Sequence, residues 1–343
     1  MDPREILTQL LAGDALSDAQ AEAAFDAMLE GRLDEAQIAS LLSLVQARGA
    51  TVPELVGAAR AMRARVAAVE APDDGVPLVD TAGTGGAPKA FNVSTASAIV
   101  AAAAAPGRIR VAKHGNRSRT GRGSSEVMER LGVKLDATPE IQARCLKELG
   151  VCFCYAIQHH PAAKHAASVR KSLAFPTMFN LLGPMTNPAG ADRQVMGVYQ
   201  ASLIDPVAGS LADLGTTKAM VLHSRDGLDE LSLGGPTDIA LVRSAPTPTI
   251  TRDTIDPASL GLMRAELADV QASDLDEAVA ILNRVLDGDG GPHTDMVLLS
   301  AAAALLVADA VGSMQEGVDA SRSAIASGAS KRLLAELASL SRS

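Results

Sequence analysis

The sequence predicts an α/β protein in two parts: a small all-helical N-terminal domain, then a larger domain with a central, mostly parallel sheet flanked by helices. Residues 1–70 carry helix-capping signals and apolar residues at helical spacing. From residue 71 onward, short apolar runs alternate with helical patterns, an order typical of βαβ units. The length of 343 residues also suits about two domains.

The helices of the N-terminal domain are marked by their first residues. Asp2-Pro3 is a favoured start, because Asp caps free N–H groups and Pro fits the first helical turn. Two capping-box patterns follow, at residues 17–20 and 51–54. We expect this domain to span residues 1–70 and to be completed by helices within residues 161–187.

The α/β domain is expected to span residues 71–343. Its candidate strands are short apolar runs at residues 76–79, 108–112, 151–155, 218–223 and 238–242. Residues 161–182 have the pattern of one continuous amphipathic helix, and residues 244–257 form a polar stretch. The C-terminus returns to helices, predicted at residues 274–286, 295–311 and 314–327.

The composition argues against nucleic-acid and membrane partners. The formal net charge is −9 and aromatic residues make up 2%, whereas proteins that stack bases combine aromatic and basic residues. The longest apolar run, residues 96–105, is too short to cross a bilayer. The polar first residues show no secretory signal, so we expect a soluble, cytoplasmic protein. Cys145, Cys152 and Cys154 are an odd set, expected to be buried free thiols.

A glycine-rich turn follows the first candidate strand. Residues 80–95 read Asp-Thr-Ala-Gly-Thr-Gly-Gly-Ala-Pro-Lys-Ala-Phe-Asn-Val-Ser-Thr and lead into an apolar helix. Glycines let backbone N–H groups approach an oxyanion, and a helix N-terminus favours negative charge. The spacing of Gly83, Gly85 and Gly86 matches neither the dinucleotide fingerprint nor the P-loop. By itself, this stretch predicts only that something phosphorylated binds.

A second stretch with the same character follows the second candidate strand. Residues 113–125 read Lys-His-Gly-Asn-Arg-Ser-Arg-Thr-Gly-Arg-Gly-Ser-Ser. Residues 108–122 include six Lys or Arg and no Asp or Glu, on a chain that is acidic overall. A local cluster of positive charge on an acidic protein favours binding of a small polyanion in a pocket. The alternative is a solvated basic loop, but the glycine and hydroxyl residues between the charges favour a phosphate site.

A third stretch carries carboxylates. Residues 224–232 read Ser-Arg-Asp-Gly-Leu-Asp-Glu-Leu-Ser and follow the candidate strand at residues 218–223. Three carboxylates beyond the carboxyl end of a strand suit Mg²⁺, which takes one or two carboxylates together with substrate phosphate oxygens. The alternative, a polar turn that holds no metal, stays open at this point.

These three stretches, in this order, resemble the anthranilate phosphoribosyltransferase family, whose fold group also contains the pyrimidine nucleoside phosphorylases. The resemblance extends over nearly the whole chain. Its motifs are Gly-Thr-Gly-Gly (83–86), Phe-Asn-Val-Ser-Thr (91–95), Lys-His-Gly-Asn-Arg (113–117), His-Pro-Ala (160–162), Val-Arg-Lys (169–171), Phe-Asn-Leu-Leu-Gly-Pro-Met-Thr-Asn-Pro (179–188), Asp-Gly-Leu-Asp-Glu (226–230) and Gly-Pro-His-Thr-Asp (291–295). The motifs at residues 113–117 and 179–188 together are the most specific part of the resemblance.

The resemblance implies an Mg²⁺-dependent enzyme of tryptophan biosynthesis, usually a homodimer. It would move 5-phosphoribosyl from phosphoribosyl pyrophosphate (PRPP) to the amine of anthranilate and release pyrophosphate. The implied PRPP site consists of Gly83, Thr84, Gly85, Gly86, Asn92, Ser94, Thr95, Lys113, Arg122, Ser124 and Ser125. The implied metal site consists of Ser94, Asp229 and Glu230. The implied anthranilate site consists of Gly83, His114, Asn116, His160, Arg170 and Gly183.

The resemblance assigns no catalytic residue with certainty. His114 and His160 are the candidates, because imidazole can accept a proton near neutral pH. Core packing with one hydrogen bond is the alternative role for each. A strong general base is unnecessary, since the anthranilate amine is already neutral at pH 7, and orientation should matter more.

Two loops depart from the family pattern. Ala87-Pro88 stands where the family usually has Asp and Gly, in a loop one residue shorter. Residues 119–125 are also one residue shorter and richer in Arg than the family's Ser-rich phosphate loop. The changes are either a coupled rearrangement at the pyrophosphate or the mark of a paralogue with another acceptor. The alternative functions are therefore a related phosphoribosyltransferase, a nucleoside phosphorylase-like enzyme, or a non-catalytic nucleic-acid-binding paralogue.

Overall fold

The structure is a computed structural model that describes residues 2–88, 90–118, 121–244 and 247–343. Its N-terminal part is helical, with α1 (Pro3–Leu11), α2 (Asp18–Leu29), α3 (Glu35–Arg48) and α4 (Val52–Arg63). The predicted caps are confirmed. The Asp2 carboxylate accepts from the Arg4 N–H, α2 begins with a reciprocal capping box, and the Thr51 N–H donates to Glu54 over 2.9 Å.

Strands and helices alternate in the larger part. The strands are β1 (Leu78–Asp80), β2 (Arg110–Gly115), β3 (Val151–Tyr155), β4 (Arg193–Gly197), β5 (Lys218–Ser224), β6 (Thr237–Arg243) and β7 (Thr249–Ile255). The helices are α5 (Val93–Ala104), α6 (Ser124–Arg130), α7 (Pro139–Leu149), α8 (Ala156–His159), α9 (Ala167–Leu173), α10 (Met178–Met185), α11 (Ile204–Asp213), α12 (Leu275–Asp287), α13 (Pro292–Val307), α14 (Met314–Ala326) and α15 (Ala329–Leu340). Short 3₁₀ helices lie at Pro161–Ala166, Ala201–Leu203, Pro257–Leu260 and Leu267–Val270.

The strands of the described residues form one sheet in the order β3-β2-β1-β4-β5-β6-β7. Neighbours from β3 to β5 are parallel, and β6 and β7 are antiparallel to their neighbours. Val79 of β1 pairs with Val111 of β2 on one side and with Arg193 of β4 on the other. The chain therefore changes its winding direction between β1 and β4, where open α/β sheets bind ligands. The predicted fold class is confirmed.

The sheet separates two hydrophobic cores. Along β5, Met220 and Leu222 belong to the first core, and Ala219 and Val221 belong to the second, as the alternation of a strand requires. The first core includes α5 and α13, and the second includes α1–α4, α10 and α11. Buried residues of α9 and α10 thus share a core with the N-terminal helices. The division at residues 70 and 71 stays a prediction.

Three details of the sequence prediction are wrong. Residues 161–182 are divided into a 3₁₀ helix, α9 and α10, because Ala174 has a left-handed φ of 57° and Pro176 follows. The prediction omits β4, which begins with polar residues, and β7, which exposes six of its seven residues. It also omits α15.

The three cysteines are free and buried, as predicted. Over the described parts of the chain, no single helix combines the length and apolar composition needed to cross a membrane. Among the described helices, α12 and α13 together, bent by 73°, meet that test by length and composition.

Candidate active site

A cavity of about 10 Å³ lies beyond the carboxyl ends of β1 and β4. Its walls include Thr81, Gly83, Ser94, Asp229 and Glu230. These residues come from the glycine turn, the first turn of α5 and the segment after β5. The structure therefore brings the three expected metal ligands together with one glycine of the expected PRPP site.

The glycine turn is anchored to the end of β4. Gly85 and Gly86 have φ values of 59° and 98°, which glycine adopts without steric cost. Between Gly83 and Gly85, the Thr84 N–H donates to the Gly197 carbonyl over 2.9 Å. The Thr84 hydroxyl accepts from the Tyr199 N–H over 3.1 Å. The shape of the turn thus depends on a strand that is distant in sequence.

The two expected phosphate loops contact each other. Asn92 precedes α5, and its side-chain amide donates to the Arg122 carbonyl over 3.1 Å. Ser124 Oγ accepts from the Asn116 N–H over 3.2 Å, which closes the second loop. Three residues of these loops lie outside the described residues: Lys89, Arg119 and Thr120.

Two buried hydroxyls lie in the first turns of α5 and α6. Thr95 is 1% exposed and Ser125 is fully buried, and neither hydroxyl has a hydrogen-bond partner among the described residues. Both were expected at the PRPP site, and that role stays a prediction.

The carboxylates after β5 differ in their surroundings. Asp226 accepts from the Ser232 hydroxyl and from the Leu228 N–H, so it stabilises the turn itself. Asp229 and Glu230 instead line the cavity. Only the second and third carboxylates of the stretch are therefore placed to hold a metal ion.

Lys113 and Glu230 form the charged centre of the site. The Lys113 side chain is buried at the end of β2 and interacts with the carboxylates of Asp80 and Glu230. Burial lowers the pKa of Lys113, and these carboxylates oppose the shift. Burial raises the pKa of Glu230 to about 8; the Asp229 charge adds to the shift, whereas Lys113 and the Ser94 N–H oppose it. A bound cation would favour the ionised form of Glu230.

Asp80 is a buried residue to which the sequence analysis gave no role. Its carboxylate accepts from the N–H groups of Ala82 and His114, both over 3.1 Å, and from the Asn187 amide over 2.9 Å. Asn187 also donates to the Ala112 carbonyl over 2.8 Å. Burial raises the pKa of Asp80. Asp80 and Asn187 thus join the ends of β1 and β2, and the place of Asn187 in the motif at residues 179–188 is the sequence signal for it.

The expected acceptor residues lie on the other face of β2. Lys113 and His114 are successive residues of the strand, so their side chains point to opposite faces. His114 Nδ1 is 3.0 Å from the Gly183 carbonyl oxygen, and the rings of His114 and His160 are 5.2 Å apart. A Cβ placed on Gly183 would meet none of the described atoms within 4 Å, so this turn of α10 borders open space.

Both histidines are neutral at pH 7. Burial lowers the pKa of His114 well below its ordinary value, and the neighbouring His160 ring, which cannot share a second positive charge, and the Lys113 charge add to the shift. Burial lowers the pKa of His160 to about 4. The Gly183 carbonyl can only accept, so Nδ1 of His114 carries the ring proton and Nε2 keeps a lone pair. Nε2 of each ring has no hydrogen-bond partner among the described residues.

Arg170 and Asn116, the other expected acceptor residues with long side chains, have contacts of their own. The Arg170 guanidinium lies over the Phe179 ring at 4.5 Å, and Phe179 packs against Phe25 of α2. Asn116 is exposed, and its Oδ1 accepts from the Arg117 N–H over 2.8 Å. Contact of either side chain with an acceptor stays a prediction.

Two family models match the chain. Residues 75–331 match the a/b domain of a glycosyl transferase family, and residues 4–66 match its helical bundle domain. The fold and the cleft at the β1–β4 switch point therefore define a glycosyl transferase.

Individual relatives narrow this class. The chain is 43% identical over 345 residues to anthranilate phosphoribosyltransferase of Thioalkalivibrio sulfidiphilus, with 100% of both chains covered. It is 44% identical to that of Caulobacter vibrioides, with 97% and 96% covered. The crystal structure of the Thermus thermophilus anthranilate phosphoribosyltransferase matches with a TM-score of 0.90 at 36% identity, over 100% of both chains. The chain belongs to the anthranilate phosphoribosyltransferase family.

Proposed function

We propose that the protein transfers the 5-phosphoribosyl group of PRPP to the amine of anthranilate and releases pyrophosphate, as an Mg²⁺-dependent step of tryptophan biosynthesis. The observation that carries the proposal is the two-sided end of β2. Lys113 lies near Glu230 on one face, and His114 lies beside His160 on the other. A polyanionic donor is bound best by a charged surface and an aromatic acceptor by a less polar one, so an active site for this transfer needs both.

The donor side would bind PRPP through its phosphates. When the bond between the ribose C1 and the pyrophosphate oxygen breaks, negative charge grows on the leaving group. Lys113, the backbone N–H groups of Gly83, Gly85 and Gly86 and the N-terminus of α5 would stabilise that charge. Because Lys113 is buried, its attraction to a phosphate is screened little by water.

The residues present fit Mg²⁺. Ser94, Asp229 and Glu230 offer hard oxygen ligands around one small cavity, and Mg²⁺ usually takes one or two carboxylates plus substrate phosphates and water. The described residues contain no group of three or more His, Cys, Asp or Glu suited to a metal, so substrate and water oxygens would have to complete the coordination. When bound, Mg²⁺ would neutralise charge on the departing pyrophosphate. The yeast anthranilate phosphoribosyltransferase, which has this fold (TM-score 0.88, 23% identity), was solved in complex with PRPP and Mg.

The acceptor side would orient anthranilate for attack on C1. The amine nitrogen forms a bond to C1 as the C1–oxygen bond breaks, and the nitrogen then loses a proton. His114 offers a neutral Nε2 with a lone pair that could accept this proton, and the neutral ring of His160 is the second candidate. The planar guanidinium of Arg170 would hold the anthranilate carboxylate.

The two shortened loops support a coupled rearrangement rather than a different acceptor. The hydrogen bond from Asn92 to the Arg122 carbonyl joins these two loops directly. The loss of a carboxylate at position 87 and the gain of Arg residues in the second loop would therefore both change the charge around the same pyrophosphate.

An acceptor scan tests the proposal. Purified protein is given PRPP and Mg²⁺ with anthranilate, orotate, nicotinate or uracil, and pyrophosphate release is measured. We expect release with anthranilate and much less with the others. Folded protein that releases no pyrophosphate with anthranilate contradicts the proposal, and a preference for another acceptor supports the paralogue alternative.

The remaining sequence predictions extend the proposal. A homodimer would sediment at about twice the 35.2 kDa mass of one chain, which analytical ultracentrifugation can measure. We further infer a cytoplasmic enzyme without nucleic-acid or membrane partners. Cell fractionation and binding assays with RNA and vesicles test these points.

A further inference from the structure

Ser300 of α13 is a buried hydroxyl that the proposed reaction does not use. The residue is 5% exposed, and its Oγ has no hydrogen-bond partner among the described residues. It lines the same cavity of about 10 Å³ as Ser94, Asp229 and Glu230. Leaving a buried hydroxyl without a partner is unfavourable, so in native proteins such groups usually bond to protein or to ordered water.

The cavity is the right size for one water molecule, and several polar side chains line part of it. A space of about 10–15 Å³ holds one water when two to four polar groups surround it. The hydroxyls of Thr81 and Ser97 both donate to the Ser94 carbonyl, over 2.8 and 3.1 Å, and keep lone pairs as acceptors. Both residues line the cavity, as do Asp229 and Glu230. Ser300 and Glu230 therefore line the same space, which has room for one water.

We propose that in the metal-free protein this cavity holds one ordered water that links Ser300 Oγ to the Glu230 carboxylate, and that Ser300 is thereby a positioning residue that holds the metal-binding pair ready before the ion binds. Glu230 lies on a segment between β5 and β6, held on one side by the Ser94 N–H. The water adds a second support from α13, a helix whose residues from Met296 to Leu305 are all buried. The water bridge stands on the geometry alone, and the positioning of the metal rests on the proposed function.

The water bridge is tested by diffraction. A crystal structure of the metal-free protein at a resolution that shows ordered water should contain one water within hydrogen-bond distance of both Ser300 Oγ and Glu230. A cavity without that density, or a direct bond from Ser300 to a protein atom, overturns the bridge. This result does not depend on what reaction the protein catalyses.

The positioning role is tested by metal binding without turnover. Ser300→Ala is compared with Ser321→Ala, a matched control on α14 whose hydroxyl is also buried and without a partner among the described residues. Mn²⁺ binding in the presence of PRPP is measured by electron paramagnetic resonance. Loss of a group that orients a metal ligand typically weakens metal binding about 10–100-fold. We expect a loss of about 10-fold for Ser300→Ala and wild-type affinity for Ser321→Ala.

Thermal melting separates positioning from folding. Both variants remove one buried hydroxyl, so a purely structural effect would lower both melting temperatures without a selective loss of Mn²⁺ affinity. Equal Mn²⁺ affinity in the two variants overturns the positioning role. If Ser300→Ala does not fold, Ser300→Cys, which keeps a weak donor, takes its place. Wild-type Mn²⁺ affinity in a Ser300→Cys protein that has lost the water also overturns the positioning role. If the wild type binds neither Mn²⁺ nor PRPP, the proposed function fails while the bridge remains tested by diffraction.

Discussion

Gly197, the last residue of β4, leaves no room for a side chain. A Cβ at this position would lie 1.7 Å from the carbonyl oxygen of Asp229 and 2.5 Å from its carbonyl carbon. Real Cβ atoms essentially never come closer than 3.0 Å to another heavy atom, so the change Gly197→Ala would displace the segment by about 1.3 Å, the difference between 3.0 and 1.7. The clash is with backbone and cannot be relieved by rotating a side chain.

The displacement should lower both stability and activity. Overpacking of this kind typically costs about 1–3 kcal/mol of stability. A shift of about 1 Å in a reacting group can lower the rate about 100-fold, which corresponds to about 2.7 kcal/mol. The Gly197 carbonyl also accepts the Thr84 N–H, so the glycine turn would move with the carboxylates. We expect kcat/KM for PRPP to fall about 100-fold and the Mg²⁺ concentration for half-maximal rate to rise.

The assay follows the loss of anthranilate fluorescence at several PRPP and Mg²⁺ concentrations, and urea unfolding gives the stability. Gly290→Ala is the control, because a Cβ there would meet none of the described atoms within 4 Å. This control should keep wild-type kinetics. A Gly197→Ala enzyme with wild-type kcat/KM and Mg²⁺ dependence would refute the link between this close contact and the metal-binding carboxylates.

Three further predictions concern the site. Asp229→Asn combined with Glu230→Gln should raise the Mg²⁺ concentration for half-maximal rate about 10-fold or more, and an unchanged Mg²⁺ titration would contradict the ligand assignment. Arg170→Ala should raise the anthranilate KM about 10-fold, because a charged hydrogen bond contributes about 1.5–3 kcal/mol; Arg170→Lys keeps the charge as a control, and a larger effect on the PRPP KM would place Arg170 on the donor side. His160 has a folded-state pKa of about 4, against an ordinary 6.5, so the unfolded chain binds the proton more tightly, and stability is full above pH 6.5 and falls as pH drops towards 4. The full pKa difference corresponds to about 3 kcal/mol of unfolding free energy. Urea unfolding at pH 7 and pH 4.5 should therefore show a smaller loss of stability for His160→Gln than for the wild type. Equal losses in the two proteins would argue against a buried neutral ring.

Local sequence patterns predicted the elements of the fold whose boundaries carry their own signals. Capping residues mark the starts of α2 and α4, and the apolar run of β3 was predicted with the observed bounds. β7 was missed because its exposed residues lack an apolar face, and β4 because its apolar run is short. A central strand is recognised by what packs around it, and that information lies elsewhere in the chain.

In the candidate active site, too, some residues were predictable from local sequence patterns and others were not. Its phosphate-binding and metal-binding candidates were found in sequence because glycines, hydroxyls and carboxylates occur there in short runs. Asp80 and Asn187 were not assigned, since their hydrogen bond joins residues 107 positions apart. Ser300 carries no local signal, because it is a single serine in an apolar helix.

The sequence by itself determined which chemical groups are available and which of them are adjacent along the chain, since turn conformation, helix capping and charge runs are local properties. Only the tertiary structure decided that β1 lies between β2 and β4, and that the Asp229 segment passes over Gly197. It also placed Lys113 and His114 in different surroundings on the two faces of one strand. The physical reason is that burial and strand pairing depend on long-range packing, and these set both the pKa values and the distances on which transfer chemistry depends.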